Sequence, residues 1–297
     1  MRRLLVWAIP VGILAFGAYG YWTGTPLDLV QAVRRGDLDT VRASLARDPS
    51  LVHTKAYPQG YERVSQQRDY QTRTGESAWR GRYLIHEAAA RVEDPLPMLE
   101  MLAAAGADLS VRIDGRSLLH LAAADGNLAV ATWLLDRGLD ANLANDCATN
   151  CVELGQTPLF EAQRTNEQAM NALLLSRGAD PRARAANGRT PLHAAAAVGS
   201  AAGAFDLCRS GTDPTVKDWQ GRTAYDIARA VDAAGRHDGR TELYGAGELT
   251  DWLKPGGGCE ELAARAAAVG TPVEEDDARP VFAAWACARG YEMACRQ

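Results

Sequence analysis

Apolar residues fall along this chain in short blocks that recur, each opened by a small hydroxyl residue. Leu118-Leu-His-Leu-Ala-Ala-Ala follows Ser117, Pro158-Leu-Phe-Glu-Ala follows Thr157, and Pro191-Leu-His-Ala-Ala-Ala-Ala follows Thr190. Ser and Thr cap helices through their hydroxyl oxygen, and Pro suits the first helical turn. A second apolar block ends on glycine: Leu99 to Gly106, Trp133-Leu-Leu-Asp-Arg-Gly138 and Leu173-Leu-Leu-Ser-Arg-Gly178. Glycine there supplies a left-handed cap that residues with a side chain resist. The pattern predicts pairs of short helices, with adjacent Ala residues letting the helices of a pair approach closely.

The opening motif repeats at a near-constant distance. Its copies begin at Gly81, Gly115, Gly155, Gly188 and Gly221. His86 to His120 is 34 residues, His120 to Phe160 is 40, and Phe160 to His193 and His193 to Asp226 are 33 each. Gly188-Arg-Thr-Pro-Leu-His193-Ala-Ala resembles the ankyrin repeat, whose period is about 33 residues and whose signature is Thr-Pro-Leu-His-x-Ala. Thr25-Pro-Leu-Asp through Arg47-Asp48-Pro49 resembles an N-terminal capping repeat, so the likeness covers residues 25–254. It implies an all-α solenoid in which each repeat buries its apolar face on its neighbours. It also implies that His86, His120 and His193 tie neighbouring loops by hydrogen bonds.

Two segments break the period, near 53–82 and 144–154. Insertions in repeat arrays collect in loops on one face, often the binding face. Beyond residue 255 the repeat is lost. There Phe282-Ala-Ala-Trp-Ala-Cys287-Ala-Arg-Gly290-Tyr-Glu-Met-Ala-Cys295 resembles the cysteine-rich Sel-one-like repeats of exported bacterial proteins. The expected division is a membrane segment at 1–24, repeats over 25–255 and a small disulfide-bonded helical cap over 256–297.

The N-terminus points to a compartment. Arg2 and Arg3 precede an uncharged stretch from Leu4 to Trp22, which is 19 residues long. At about 1.5 Å per residue it approaches a bilayer core of roughly 30 Å. Arg2 and Arg3 then stay in the cytoplasm, with Tyr19, Tyr21 and Trp22 at the far interface. This reads as an inner-membrane anchor, single-pass, with the rest of the chain in the periplasm. The alternative is a periplasmic or secreted protein after signal cleavage. The six cysteines, Cys147, Cys151, Cys208, Cys259, Cys287 and Cys295, suit an exported, disulfide-bonded chain. Local spacing favours Cys147–Cys151 and Cys287–Cys295, which leaves Cys208 with Cys259. Zinc at Cys147 and Cys151 lacks a second ligand pair nearby.

Composition narrows the chemistry further. Net charge is −5, and without the first 22 residues it is 30 − 37 = −7, with no basic run for nucleic acid. No phosphate loop, nucleophile elbow or metalloprotease motif is present in the sequence, so no cofactor, metal or catalytic set is expected. The acidic run Glu274-Glu-Asp-Asp277 reads as an exposed linker.

What remains is surface. By position in the repeat, the resemblance implies a concave face carrying Trp79, Arg80 and Arg82, then Ile113, Asp114, Arg116 and Asp125. Arg164, Asn187, Arg189, Trp219, Gln220 and Arg222 continue it. Trp and Arg are enriched among interface hot spots. The row of Arg predicts a partner with an acidic patch. The expected function is a non-catalytic protein-binding module. The alternatives are an immunity protein neutralising a secreted effector such as a type VI phospholipase, or an envelope or oxidative-stress defence factor.

Overall fold

The computed structural model describes residues 26–56, 82–91, 93–146, 154–164, 168–234 and 246–269. The expected anchor at Leu4–Trp22, the four cysteines Cys147, Cys151, Cys287 and Cys295, and the Sel-one-like stretch lie outside them. Among the described residues no helix is long and apolar enough to cross a membrane. The chain divides into two compact units, Met1–Ile113 and Asp114–Gln297.

The first unit holds α1 (Pro26–Arg35), α2 (Leu38–Arg47), a 3-10 turn (Pro49–His53), β1 (Lys55–Ala56), β2 (Arg82–Tyr83), α3 (Leu84–Arg91), α4 (Leu96–Ala104) and β3 (Arg112–Ile113). Asp37 caps α2 by accepting the Thr40 N–H at 3.0 Å. Val33, Val41, Leu84, Leu99 and Leu102 are fully buried in this unit. Arg34 reaches from α1 to the buried Glu87 on α3 at 2.8 Å, so the acid enters the core with its charge matched. β1 and β2 pair antiparallel, Lys55 opposite Tyr83. The chain therefore leaves for its first insertion and returns from it at a closed base.

The second unit holds β4 (Arg116–Ser117), α5 (Leu118–Ala124), α6 (Leu128–Asp136), α7 (Pro158–Ala162), α8 (Gln168–Ser176), α9 (Pro191–Val198), α10 (Ala201–Arg209), α11 (Ala224–Ala233), α12 (Ala246–Leu253) and α13 (Gly258–Val269). Helices α5, α7, α9 and α11 form one stacked layer, and α6, α8 and α10 a second. Helix α13 packs on α10, in the place of a further outer helix, and Cys208 on α10 is bonded to Cys259 on α13 with an S–S distance of 2.01 Å. The chain turns left-handed at Gly138 and Gly178, where the second apolar blocks of this unit end.

The signature position explains how repeats are joined. His120 and His193 each accept the backbone N–H of their helix cap at Nδ1, from Ser117 at 3.3 Å and Thr190 at 3.2 Å. An Nδ1 that accepts leaves the proton on Nε2. That nitrogen then donates to the next repeat, to the Gln156 carbonyl at 3.0 Å and the Arg222 carbonyl at 3.2 Å. Asp226 performs the capping half alone, its carboxylate accepting the Thr223 N–H at 2.9 Å. A carboxylate has no proton to pass onward. Phe160 performs neither half.

A buried amide cluster packs at the joint where Phe160 makes no onward bond. Gln163 donates through Nε2 to the Leu159 carbonyl at 2.8 Å and to Asn171 Oδ1 at 2.9 Å. Both amides are fully buried. They press on Gly203 in the first turn of α10, where an added Cβ would overlap Gln163 Oε1 and the Ser200 hydroxyl.

Gly203→Ala is therefore expected to destabilise the protein. Alanine gains about 1 kcal/mol of helix propensity, but overpacking costs roughly 1–3 kcal/mol and the displaced amides lose bonds worth about 1 kcal/mol each. A net loss of about 2 kcal/mol should lower the urea midpoint with the slope unchanged. An unchanged or raised midpoint refutes the account. Protonation gives a second test. Burial pushes the His193 pKa below its ordinary 6.5, outweighing the Arg222 carbonyl and Asp218, which raise it. The unfolded chain then binds more protons, so His193 contributes stability above pH 6.5 that is lost as pH falls through the folded value. His193→Gln should cost about 1 kcal/mol near neutrality and flatten the decline of the melting temperature between about pH 7 and pH 5. Equal slopes for both proteins contradict the assignment.

Candidate protein interaction surface

Each fingertip in the second unit is a short turn closed by backbone bonds. The Ala185 N–H donates to the Arg189 carbonyl, and the Asp218 N–H to the Arg222 carbonyl, at 2.9 Å each. The Asn145 N–H donates to the Gln156 carbonyl at 2.8 Å. The same bond thus spans four residues in two fingertips and eleven in the third, which places the seven-residue insertion at a fingertip. Neighbouring fingertips are laced together. Asp146 donates to Gly115, Ala186 to Leu154, and Trp219 to Asn187, at 3.1, 2.8 and 3.1 Å. The backbone of Trp219 is structural, while its side chain is 80 % exposed. Its indole edge lies against Gly188, where a Cβ would meet Cδ1 at 3.0 Å. A side chain at 188 would push the ring aside.

Two buried carboxylates organise the arginines. Glu161, fully buried on α7, is paired with Arg116 at 3.1 Å and Arg164 at 3.5 Å. Asp218 is buried beneath Arg222 at 2.9 Å and Arg189 at 3.5 Å. Its Oδ1 also accepts the backbone N–H groups of Gln220 at 2.9 Å and Arg222 at 3.0 Å. Burial alone would raise the Asp218 pKa, but the bonds from Arg222 and Gln220 outweigh it and hold the carboxyl at about 2. It is an anion throughout the physiological range.

The structure sorts the expected surface residues. Trp219, Gln220, Asp114, Asp125 and Arg164 are exposed, and Arg116, Asn187, Arg189 and Arg222 are partly exposed. Asp114 takes a left-handed conformation, φ 49°, at its turn. Asn187, Arg189, Trp219, Gln220 and Arg222 come together on two adjacent laced fingertips. Ile113 does not belong to the surface: its side chain is 8 % exposed and joins the core, because a β-branched apolar residue on a strand buries the face it can. Trp79 and Arg80 lie outside the described residues, and of Arg82 only its place on β2 is described.

The arginine row also differs from expectation. It is not a line of free charges, since Glu161 and Asp218 lie beneath it. Sequence reasoning passed over both acids, and also Arg184, whose Nη2 donates to the Lys217 carbonyl at 2.9 Å. Leu154, 40 % exposed beside the insertion, is a further apolar fingertip residue. The available signal was position: Asp218 and Arg222 flank the fingertip glycine Gly221, and Glu161 follows the signature residue.

The arrangement offers hydrogen-bond donors, charge and one indole, and among the described residues no group of His, Cys, Asp and Glu could hold a metal ion. Compared with curated proteins the chain has no significant match. A family model of ankyrin repeats, three copies long, matches residues 85–185 and 142–218. Ankyrin repeats mediate binding to other proteins and are generally non-catalytic. The stacked helix pairs, the histidine ties and the laced fingertips agree with that match, and residues 85–218 of the chain belong to the ankyrin-repeat family.

Proposed function

We propose that this chain is a non-catalytic protein-binding module that grips its partner at the fingertips around Trp219, and that residues 4–22 hold it in the inner membrane with the repeats in the periplasm. The observation that carries the binding role is the indole itself. Trp219 is 80 % exposed, the most exposed of the large apolar side chains among the described residues. It sits beside Gln220 and the Asp218-bound arginines, on backbone that is pinned by the Asn187 carbonyl. A large apolar group on a rigid support loses little entropy on binding, which is the condition that favours a hot spot.

The placement draws on the charge pattern of the N-terminus, Arg2 and Arg3 before the uncharged stretch from Leu4 to Trp22. The bond between Cys208 and Cys259 supports it, since disulfides persist in oxidising compartments.

Trp219→Ala should weaken partner binding by about 2 kcal/mol or more, measured by titration calorimetry with the captured partner. It should leave the melting temperature nearly unchanged. Unfolding of the variant with unchanged affinity per folded molecule would make the indole structural and remove the basis for the site. Topology is tested separately by fusing alkaline phosphatase to the C-terminus in a bacterial host. An active enzyme is expected, and an inactive one beside an active cytoplasmic reporter excludes the periplasmic placement.

A further inference from the structure

We infer that the Asp218 fingertip is a receptor for a carboxylate of the partner, carried on an acidic protein segment with an apolar side chain beside it. This rests on the reading of Trp219 as the binding site and specifies the chemistry it recognises.

Three guanidinium groups meet at this fingertip: Arg189 and Arg222 lie on Asp218, and Arg184 donates to the neighbouring Lys217 carbonyl. Asp218 is the acid beneath Arg189 and Arg222, so the three guanidinium groups and this carboxylate carry +3 − 1 = +2. Lys217 and Asp226, which interact across space, cancel and leave that sum unchanged. The whole chain carries −5, so this is a local reversal of sign.

Asp218 accepts from Arg222 Nε at 3.1 Å and Nη2 at 2.9 Å, and from two backbone N–H groups. A carboxylate has about four acceptor positions, so this one is saturated. Arg222 has five N–H donors and spends two here. Its side chain is 39 % exposed and that of Arg189 33 %. The buried acid therefore fixes the Arg222 guanidinium by two hydrogen bonds and holds Arg189 as an ion pair at 3.5 Å, while both groups keep exposed surface. Such a fork suits one planar carboxylate. The indole beside it suits an apolar side chain. A nucleic acid strand is disfavoured, because it needs cations spread along its length and these are confined to one knuckle.

Asp218 gives the inference a test in which two effects have opposite signs. Asp218→Asn removes a negative charge, so attraction by net charge alone would tighten an acidic ligand. If the hold on Arg222 and Arg189 matters more, binding loosens. The experiment uses the full chain in mild detergent and fluorescence anisotropy. The probes are a labelled octapeptide alternating Glu and Leu, its Gln–Leu counterpart, and an oligothymidylate of eight nucleotides. The Glu peptide is expected to bind at least about tenfold tighter than the Gln peptide. Asp218→Asn, Arg222→Gln and Trp219→Ala should each weaken it about tenfold. Thermal melts report the folded fraction, and Arg222→Gln leaves Asp218 in place should Asp218→Asn unfold. Failure of the Glu peptide to bind overturns the inference. So does tighter binding by Asp218→Asn, or equal competition by the oligothymidylate. If the Glu peptide fails but Trp219→Ala still releases the captured partner, the acidic chemistry falls and the binding site stands. If the captured partner ignores Trp219→Ala, the site itself falls.

Discussion

A single helix pair of this chain has no interior of its own. Helix α9 is apolar on the side that meets α7 and on the side that meets α11, and both sides are covered only by neighbouring repeats. Stability therefore resides in the joints. The protonation state of the signature histidines is decisive there. A neutral ring accepting at Nδ1 and donating at Nε2 caps its own helix and holds the next fingertip at once. A second proton would place a donor against the cap N–H it now accepts from.

Where a joint lacks that ring, other chemistry takes its place. Phe160 buries an apolar ring and forgoes the bond, and beside it the hydrogen-bonded amides of Gln163 and Asn171 pack closely against Gly203 of the next repeat. Buried amides bind strongly in a low dielectric and penalise any change in spacing. Asp226 keeps the cap and gives up the onward bond, and α12 and α13 then close the stack. Each departure from the repeat signature has a physical counterpart in the joint it makes.

The same economy shapes the surface. Fingertip arginines would be mobile cations on an open face, and a salt bridge between two exposed groups contributes little. Placing Glu161 and Asp218 in the interior changes this. The acids are matched on burial, and the Arg222 guanidinium is held by two hydrogen bonds while part of it stays exposed. Trp219 is supported likewise, by a main-chain bond below and a glycine beside it. The surface is rigid because its anchors are buried, and that suits recognition of another protein.

Much of this was legible in the residues alone. Helix caps depend on the nearest three or four positions, so Ser117, Thr190 and Thr223 announced their helices and the 33-residue spacing announced the stack. The exposed Trp219 followed from its place beside a fingertip glycine. Ile113 did not, because burial depends on what other elements cover a side chain. Nor did the pairing of Arg116 with Glu161 or the cluster at Gly203, whose partners stand 45 and 40 residues apart along the chain. Local rules determine where helices begin and how often they recur. Which charges are neutralised, and which remain for a partner, is decided only when the repeats stack, since Coulomb energy and desolvation depend on distance in space and not along the sequence.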